Sequence, residues 1–158
     1  MKKVAIFPGS FDPFTIGHES LVIRALELFD KIIIAVGHNA QKQGFFSIDA
    51  RMDMINKIFE NNIKIETDCY EGLTVDYCRK KNIYFIIRGL RTSADFEFER
   101  SVGQVNKQME RKIETVFLLT STKYTPVSSS IVRDILANGG NAKQFIPNRI
   151  NIDDYLNK

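Results

Sequence analysis

Apolar runs of strand length alternate with amphipathic stretches five times along this chain. Val4–Phe7 has the pattern of a short buried strand, and Leu21, Val22, Ala25, Leu26 and Phe29 then recur at spacings of three and four, which predicts a helix. Lys31–Val36 is a continuous run rich in β-branched residues, suited to a parallel sheet covered on both faces. Ser47 reads as the N-cap of a helix with Ile48, Met52, Ile55 and Phe59 on one face, ending near Asn61 and Asn62. Ile63–Thr67 alternates and predicts a third strand nearer an edge, and Gly72–Thr74 leads into a short helix over Val75–Lys81. Ile83–Ile87 is a fourth, wholly apolar strand. After it Ser93 is expected to cap a helix from Ala94 to about Arg111, with Glu114–Leu119 as the fifth strand. Ser128–Ser130 open a last helix that stops at Gly139–Gly140, and Ile150, Ile152, Tyr155 and Leu156 suggest a docked tail helix.

Strands alternating with helices imply an α/β fold: a Rossmann-like five-stranded parallel sheet with helices on both faces, in one domain spanning residues 1–158. Ligands of such sheets bind beyond the carboxyl ends of the strands, where strand order reverses. Ser10 and His18, Lys42, Thr74, Arg88 and Arg91, and Ser128–Ser130 each follow one of the five predicted strands, so the topology brings them to one rim. Between the first strand and the first helix stand Pro8, Gly9, Ser10, Asp12, Pro13, Thr15 and Gly17, with His18 at the helix mouth. A turn-rich loop entering a helix points N–H groups and a helix dipole at an anion, here a nucleotide's phosphates.

Composition changes this picture little. At 158 residues, 44% hydrophobic and 26% charged, the chain is an ordinary globular domain, and a net charge of +3 gives nucleic acid or an anionic membrane little to bind. Met1-Lys2-Lys3 runs straight into a strand, without a secretory pattern, and no apolar run approaches membrane-spanning length; a cytoplasmic protein is expected. Cys69 and Cys78 fit neither a zinc pattern nor a disulfide framework and read as reduced thiols in or near the core. His38 reads as a surface residue, and Phe45, Phe46, Phe96 and Phe98 as packing.

Neither G-x-x-x-x-G-K-[ST] nor G-x-G-x-x-G after the first strand is present, which removes the main support for a P-loop hydrolase or a dinucleotide-binding protein. Three other blocks stand instead: Pro8-Gly9-Ser10-Phe11-Asp12-Pro13 with Thr15-Ile16-Gly17-His18, then Ile87-Arg88-Gly89-Leu90-Arg91 with Asp95-Phe96-Glu97-Phe98-Glu99, then Val127-Ser128-Ser129-Ser130. Together they make the chain resemble the bacterial phosphopantetheine adenylyltransferases, of the nucleotidyltransferase superfamily marked by [HT]-x-G-H. The resemblance runs over nearly the whole chain. It implies transfer of the adenylyl group of ATP to 4′-phosphopantetheine, with magnesium bound alongside ATP and no dedicated protein ligand set for the metal. It also implies a homohexamer.

The same resemblance distributes roles among residues. His18, Lys42 and Arg91 would be catalytic, His18 by donating to the α-phosphate. Ser10, Lys42, Thr74 and Arg88 would hold phosphopantetheine, Arg88 gripping the acceptor's phosphate and Thr74 lying along the pantetheine arm. Ser10, Phe11, His18, Gly89, Leu90, Arg91, Glu99 and the run Tyr124, Thr125, Pro126, Val127, Ser128, Ser129 and Ser130 would bind ATP. Gly44, near Lys42, stands where proline is common in the family. Two other readings stay open: a sibling enzyme acting on nicotinamide mononucleotide or glycerol phosphate, and a noncatalytic nucleotide-binding module. Thr15, in place of the histidine usual in those siblings, and the Arg88–Arg91 block weigh against the first. Charge focused on one reacting phosphorus weighs against the second.

Overall fold

The β-branched runs pair side by side into one parallel sheet. The computed structural model describes residues 1–156. Its strands are β1 (Val4–Gly9), β2 (Lys31–His38), β3 (Ile65–Glu71), β4 (Phe85–Leu90) and β5 (Glu114–Leu119), in the order β3-β2-β1-β4-β5. All four pairings are parallel. The connecting helices are α1 (Ile16–Ala25), α2 (Ile48–Ile58), α3 (Thr74–Lys81) and α4 (Ser93–Met109), followed by α5 (Ser129–Ala137).

Alternation of side chains along the strands divides the core into two layers. Ala5, Phe7, Ile32, Ile34, Val36 and Ile87 face α1 and α2, meeting Leu21, Val22, Ala25, Ile55 and Ile58. Ile6, Ala35 and Ile86 face the other way, against Val75, Tyr77 and Cys78 of α3. Thr115 and Phe117 share that second side, where Gly103 of α4 comes close to both. Phe46, Met54, Val132, Ile146, Ile152 and Tyr155 form a third cluster, which docks α5 and the tail onto α2.

Strand order reverses between β1 and β4, and there the ladder is shortest. Only Ala5↔Phe85 and Ile6↔Ile86 pair, whereas β1 follows β2 to Gly9↔Val36 and β4 follows β5 to Leu90↔Leu119. Pro8 has no N–H to offer β4, and its carbonyl is taken by the Arg88 side chain at 2.9 Å. The carboxyl ends of β1 and β4 therefore part, and a crevice opens between them.

Several boundaries differ from the sequence expectation. Arg88, Gly89 and Leu90 lie within β4 rather than after it, because the arginine's charge is met by groups on α4 and β1. Thr92, not Ser93, caps α4: its hydroxyl accepts from the Asp95 N–H while Asp95 reaches back to the Thr92 N–H. β3 starts at Ile65, since Asn62 folds residues 62–65 into a turn that leaves Ile63 exposed. α1 ends at Ala25, and tight turns carry the chain to a buried Phe29. In place of the expected tail helix, Ile152–Tyr155 makes a 3₁₀ turn. Cys78 is buried but Cys69 is exposed. Of the four phenylalanines expected to pack, Phe46 is buried, whereas Phe45, Phe96 and Phe98 are exposed.

Candidate active site

The first strand delivers its chain into the crevice through a tight loop. Phe11 takes a left-handed backbone (φ 46°), uncommon for an aromatic residue, and its ring turns inward to bury against Phe7 and Phe14. Thr15 then caps α1, its hydroxyl facing the His18 N–H. Histidine fills the capping-box position usually held by glutamate: its Nδ1 accepts the Thr15 N–H at 3.0 Å. That donor fixes the tautomer of the neutral ring, with the proton on Nε2. Phe7, Phe11 and Phe14 surround the imidazole at centroid distances of 6.3, 5.1 and 5.2 Å. Burial, helped by the charges of Arg91 and Arg88, lowers its pKa to about 4. His18 is thus a neutral donor at physiological pH, one side of its ring lining the crevice.

The fourth strand supplies the cations. Arg88 donates from Nε and Nη2 to the two oxygens of the buried Glu99 at 2.7 and 2.5 Å, and from Nη1 to Pro8. Three of the five N–H groups of a guanidinium are thereby engaged, which orients the fork and leaves two for a ligand. Arg91 stands 3.4 Å from Asp95, whose carboxylate also accepts the Arg91 N–H.

α5 closes the far wall. Ser128 caps it by accepting from the Ile131 N–H, and the Ser129 hydroxyl donates to the Pro13 carbonyl, tying the helix start to the first loop. The first N–H groups of the helix, at Ser129 and Ser130, have no intrahelical acceptor.

These elements enclose a cavity of about 350 Å³. Of the residues expected at the site, Ser10, Phe11, His18, Arg88, Gly89, Arg91, Glu99 and Val127–Ser130 line it. Glu99, expected to contact ATP, has both oxygens on Arg88. Leu90 is buried in β4, and Tyr124, Thr125 and Pro126 stand outside the cavity wall, Tyr124 close to Gly17 in the first turn of α1. Lys42 is exposed on the segment after β2 and does not reach the cavity. Thr74 starts α3, its hydroxyl 2.7 Å from that of Tyr70. Burial raises the Tyr70 pKa, against the opposing effects of the Thr74 hydroxyl and the charge of Arg88, and neither Tyr70 nor Thr74 lines the cavity.

Sequence reasoning missed three participants. Arg133 lines the cavity and donates to the Asp12 carbonyl and to Ser130. Asp12 and Arg51 lie buried beneath the Ser10 loop. One signal pointed to Arg51: with Ile48, Met52 and Ile55 it falls at i, i+3, i+4 and i+7, a charge on the apolar stripe of a helix. Asp12, three residues before the Thr15 cap, had no such marker. Among the described residues no helix is long and apolar enough to cross a membrane.

A family model described as cytidylyltransferase-like matches residues 6–135. A phosphopantetheine adenylyltransferase of Cytophaga hutchinsonii is 47% identical over 150 residues, covering 95% of this chain and all of its own. Its namesake in Flavobacterium johnsoniae is 47% identical, covering 96% of this chain and 99% of its own. One from Clostridium novyi is 42% identical, covering 99% and 96%. Among solved structures, a bifunctional NMN adenylyltransferase/ADP ribose pyrophosphatase from Francisella tularensis matches with a TM-score of 0.73 at 18% identity. The match covers 95% of this chain but spans only 46% of that one, and it shows the fold alone.

Proposed function

This chain belongs to the phosphopantetheine adenylyltransferase family, and from that premise we propose that it transfers the adenylyl group of ATP to 4′-phosphopantetheine, forming dephospho-coenzyme A and pyrophosphate. The observation that carries the reading is the meeting of His18, Arg88, Arg91 and the α5 N-terminus in one crevice, at the point where strand order reverses.

The acceptor's phosphate is already an anionic nucleophile. An oxygen of it bonds to the α-phosphorus of ATP as the bond from that phosphorus to the α,β-bridging oxygen breaks, and no protein nucleophile or strong base is required. Catalysis reduces to placement and charge stabilisation. The two unengaged N–H groups of Arg88 hold the acceptor phosphate, held on line by Glu99. His18, neutral and proton-bearing at Nε2, donates to the α-phosphate as its charge grows. Arg91, Ser10 and the N–H groups at Ser129 and Ser130 take the triphosphate, and residues 124–128 the adenosine. Lys42 swings in from its exposed segment to neutralise phosphate, and Thr74 lies along the pantetheine arm.

Magnesium would be bound together with ATP. The carboxylates of Asp95 and Glu99, which line the crevice, are each paired with an arginine, so phosphate and water oxygens would hold the ion. Bound there, the ion spreads the charge of the triphosphate.

The working form in this reading is a cytoplasmic homohexamer. α4 supports assembly: its one buried residue is Glu99, while Phe96, Phe98, Val102, Val105 and Met109 are exposed beside the edge strand β5.

An acceptor panel tests the reading. With ATP and magnesium, 4′-phosphopantetheine should yield an adenylylated product, and pantetheine and nicotinamide mononucleotide should not. Turnover of pantetheine or of the mononucleotide would reassign the acceptor, and turnover of none would favour a nucleotide-binding module.

A further inference from the structure

A buried charge pair lies beneath the Ser10 loop, and the reaction just described makes no use of it. Asp12 is 7% exposed and Arg51 6%. Their contacts go to backbone. The Asp12 carboxylate accepts the N–H groups of Phe45 and Phe46, both at 2.8 Å. Arg51 donates from Nε to the Phe46 carbonyl at 3.0 Å and from Nη1 to the Ser10 carbonyl at 2.9 Å. Nε and the nearer carboxylate oxygen are 3.9 Å apart.

Two backbone segments therefore share one anchor. The first carries Ser10, on the cavity wall. The second is the stretch from Asn39 to Phe46, which leaves β2, carries Lys42 and returns to the protein at Phe45 and Phe46. A buried ion pair contributes little net stability over well-packed apolar residues, because desolvation offsets its attraction. What apolar residues would not supply is a fixed direction for four backbone groups. Gly44 shows how closely the second segment lies on the pair. A Cβ there would stand 2.6 Å from Arg51 Nη2, 2.9 Å from Asp12 Oδ2 and 3.0 Å from the Phe46 carbonyl.

We infer that Asp12 and Arg51 are positioning residues, which set the Lys42 segment against the Ser10 loop, and that Gly44, where proline is common in the family, leaves this chain's segment the room to seat on them as it does. The inference rests on the adenylyl-transfer reading and on the role of Lys42 in it. It assigns no contact with substrate to either member of the pair.

The test is a double-mutant cycle on the full-length protein, following formation of dephospho-coenzyme A. Gly44→Ala pushes on the pair without removing a charge, and Arg51→Lys keeps the charge but cannot serve both carbonyls. Each is measured alone and with Lys42→Ala. Each variant alone should lower kcat by about 10- to 100-fold, the cost of a misplaced catalytic group. In the Lys42→Ala background the further loss should be within about two-fold, because the group being placed is already gone. A merely structural role predicts equal losses in both backgrounds, and that result overturns the inference. So does full activity of Gly44→Ala and Arg51→Lys, or of Lys42→Ala by itself. Failure of the unsubstituted protein to form dephospho-coenzyme A would instead overturn the functional reading beneath it.

Discussion

His18 shows how much a single side chain can be asked to do when its surroundings are fixed. Its Nδ1 completes the α1 cap, and in the proposed reaction its Nε2–H serves the substrate, so one residue would both end a strand–loop–helix turn and supply a donor. His18→Ala should lower turnover by about 10²–10³ while ATP affinity, from binding titration, stays within a few-fold. Unchanged turnover would remove the assigned role. The same burial has a consequence for stability. The unfolded chain takes up a proton at an ordinary histidine pKa near 6.5, the folded one only near 4. The His18 contribution is therefore complete above about pH 6.5 and is lost as pH falls towards 4. His18→Asn, which keeps an acceptor for the cap, should lose less stability over that interval by chemical denaturation. Arg88 and Glu99 make a second test. Arg88→Ala should raise KM for the phosphorylated acceptor more than KM for ATP, and Glu99→Gln should reproduce part of that effect by loosening the fork. Equal effects on both substrates would move Arg88 to the nucleotide side. These residues were legible because type and spacing carry their chemistry. Asp12 was not, and Arg51 only as a charge on an apolar stripe, because their burial arises from contacts 34 and 41 positions apart in the chain.

Among the elements, α1 lies against β4 at Gly89. A Cβ on Gly89 would stand 2.4 Å from Leu21 Cδ1, so the glycine lets α1 lie directly on the strand that carries Arg88. The resemblance implies that Gly89 binds ATP; in the folded chain Leu21 also packs against it. Gly89→Ala should cost about 1–3 kcal/mol through overpacking, seen as a lower denaturation midpoint at unchanged m-value. A wild-type midpoint would mean the helix has slack. The strands were readable wherever apolar runs were continuous, as in β2. Their ends were not. β4 runs on through Arg88 because Glu99 and the Pro8 carbonyl satisfy its charge, and no local pattern announces partners 11 and 80 residues away. The α4 cap was misplaced by one residue because Thr92 and Ser93 both suit the position, and only the reciprocal bonds of Asp95 choose between them.

For the molecule as a whole, the parallel order of five strands turns scattered motif blocks into a site. The β1–β4 gap, opened by a proline without an N–H, receives loops from both halves of the sheet. α4 inverts the usual rule by burying a glutamate and exposing Phe98, which is 68% exposed, while Leu119 on the edge strand β5 is 72% exposed. Assembly would cover that face. Light scattering at working concentration should give a mass near six chains, and Phe98→Glu should reduce it; a monomer would refute the hexamer and leave the chemistry standing. In the proposed reaction the α-phosphorus of ATP, and no other, passes to the acceptor. ATP labelled at that phosphorus, supplied with magnesium and 4′-phosphopantetheine, decides whether it does. The label should appear in dephospho-coenzyme A while unlabelled pyrophosphate is released in equal amount. Label recovered only in ADP or in free AMP, with no labelled dephospho-coenzyme A, would contradict it.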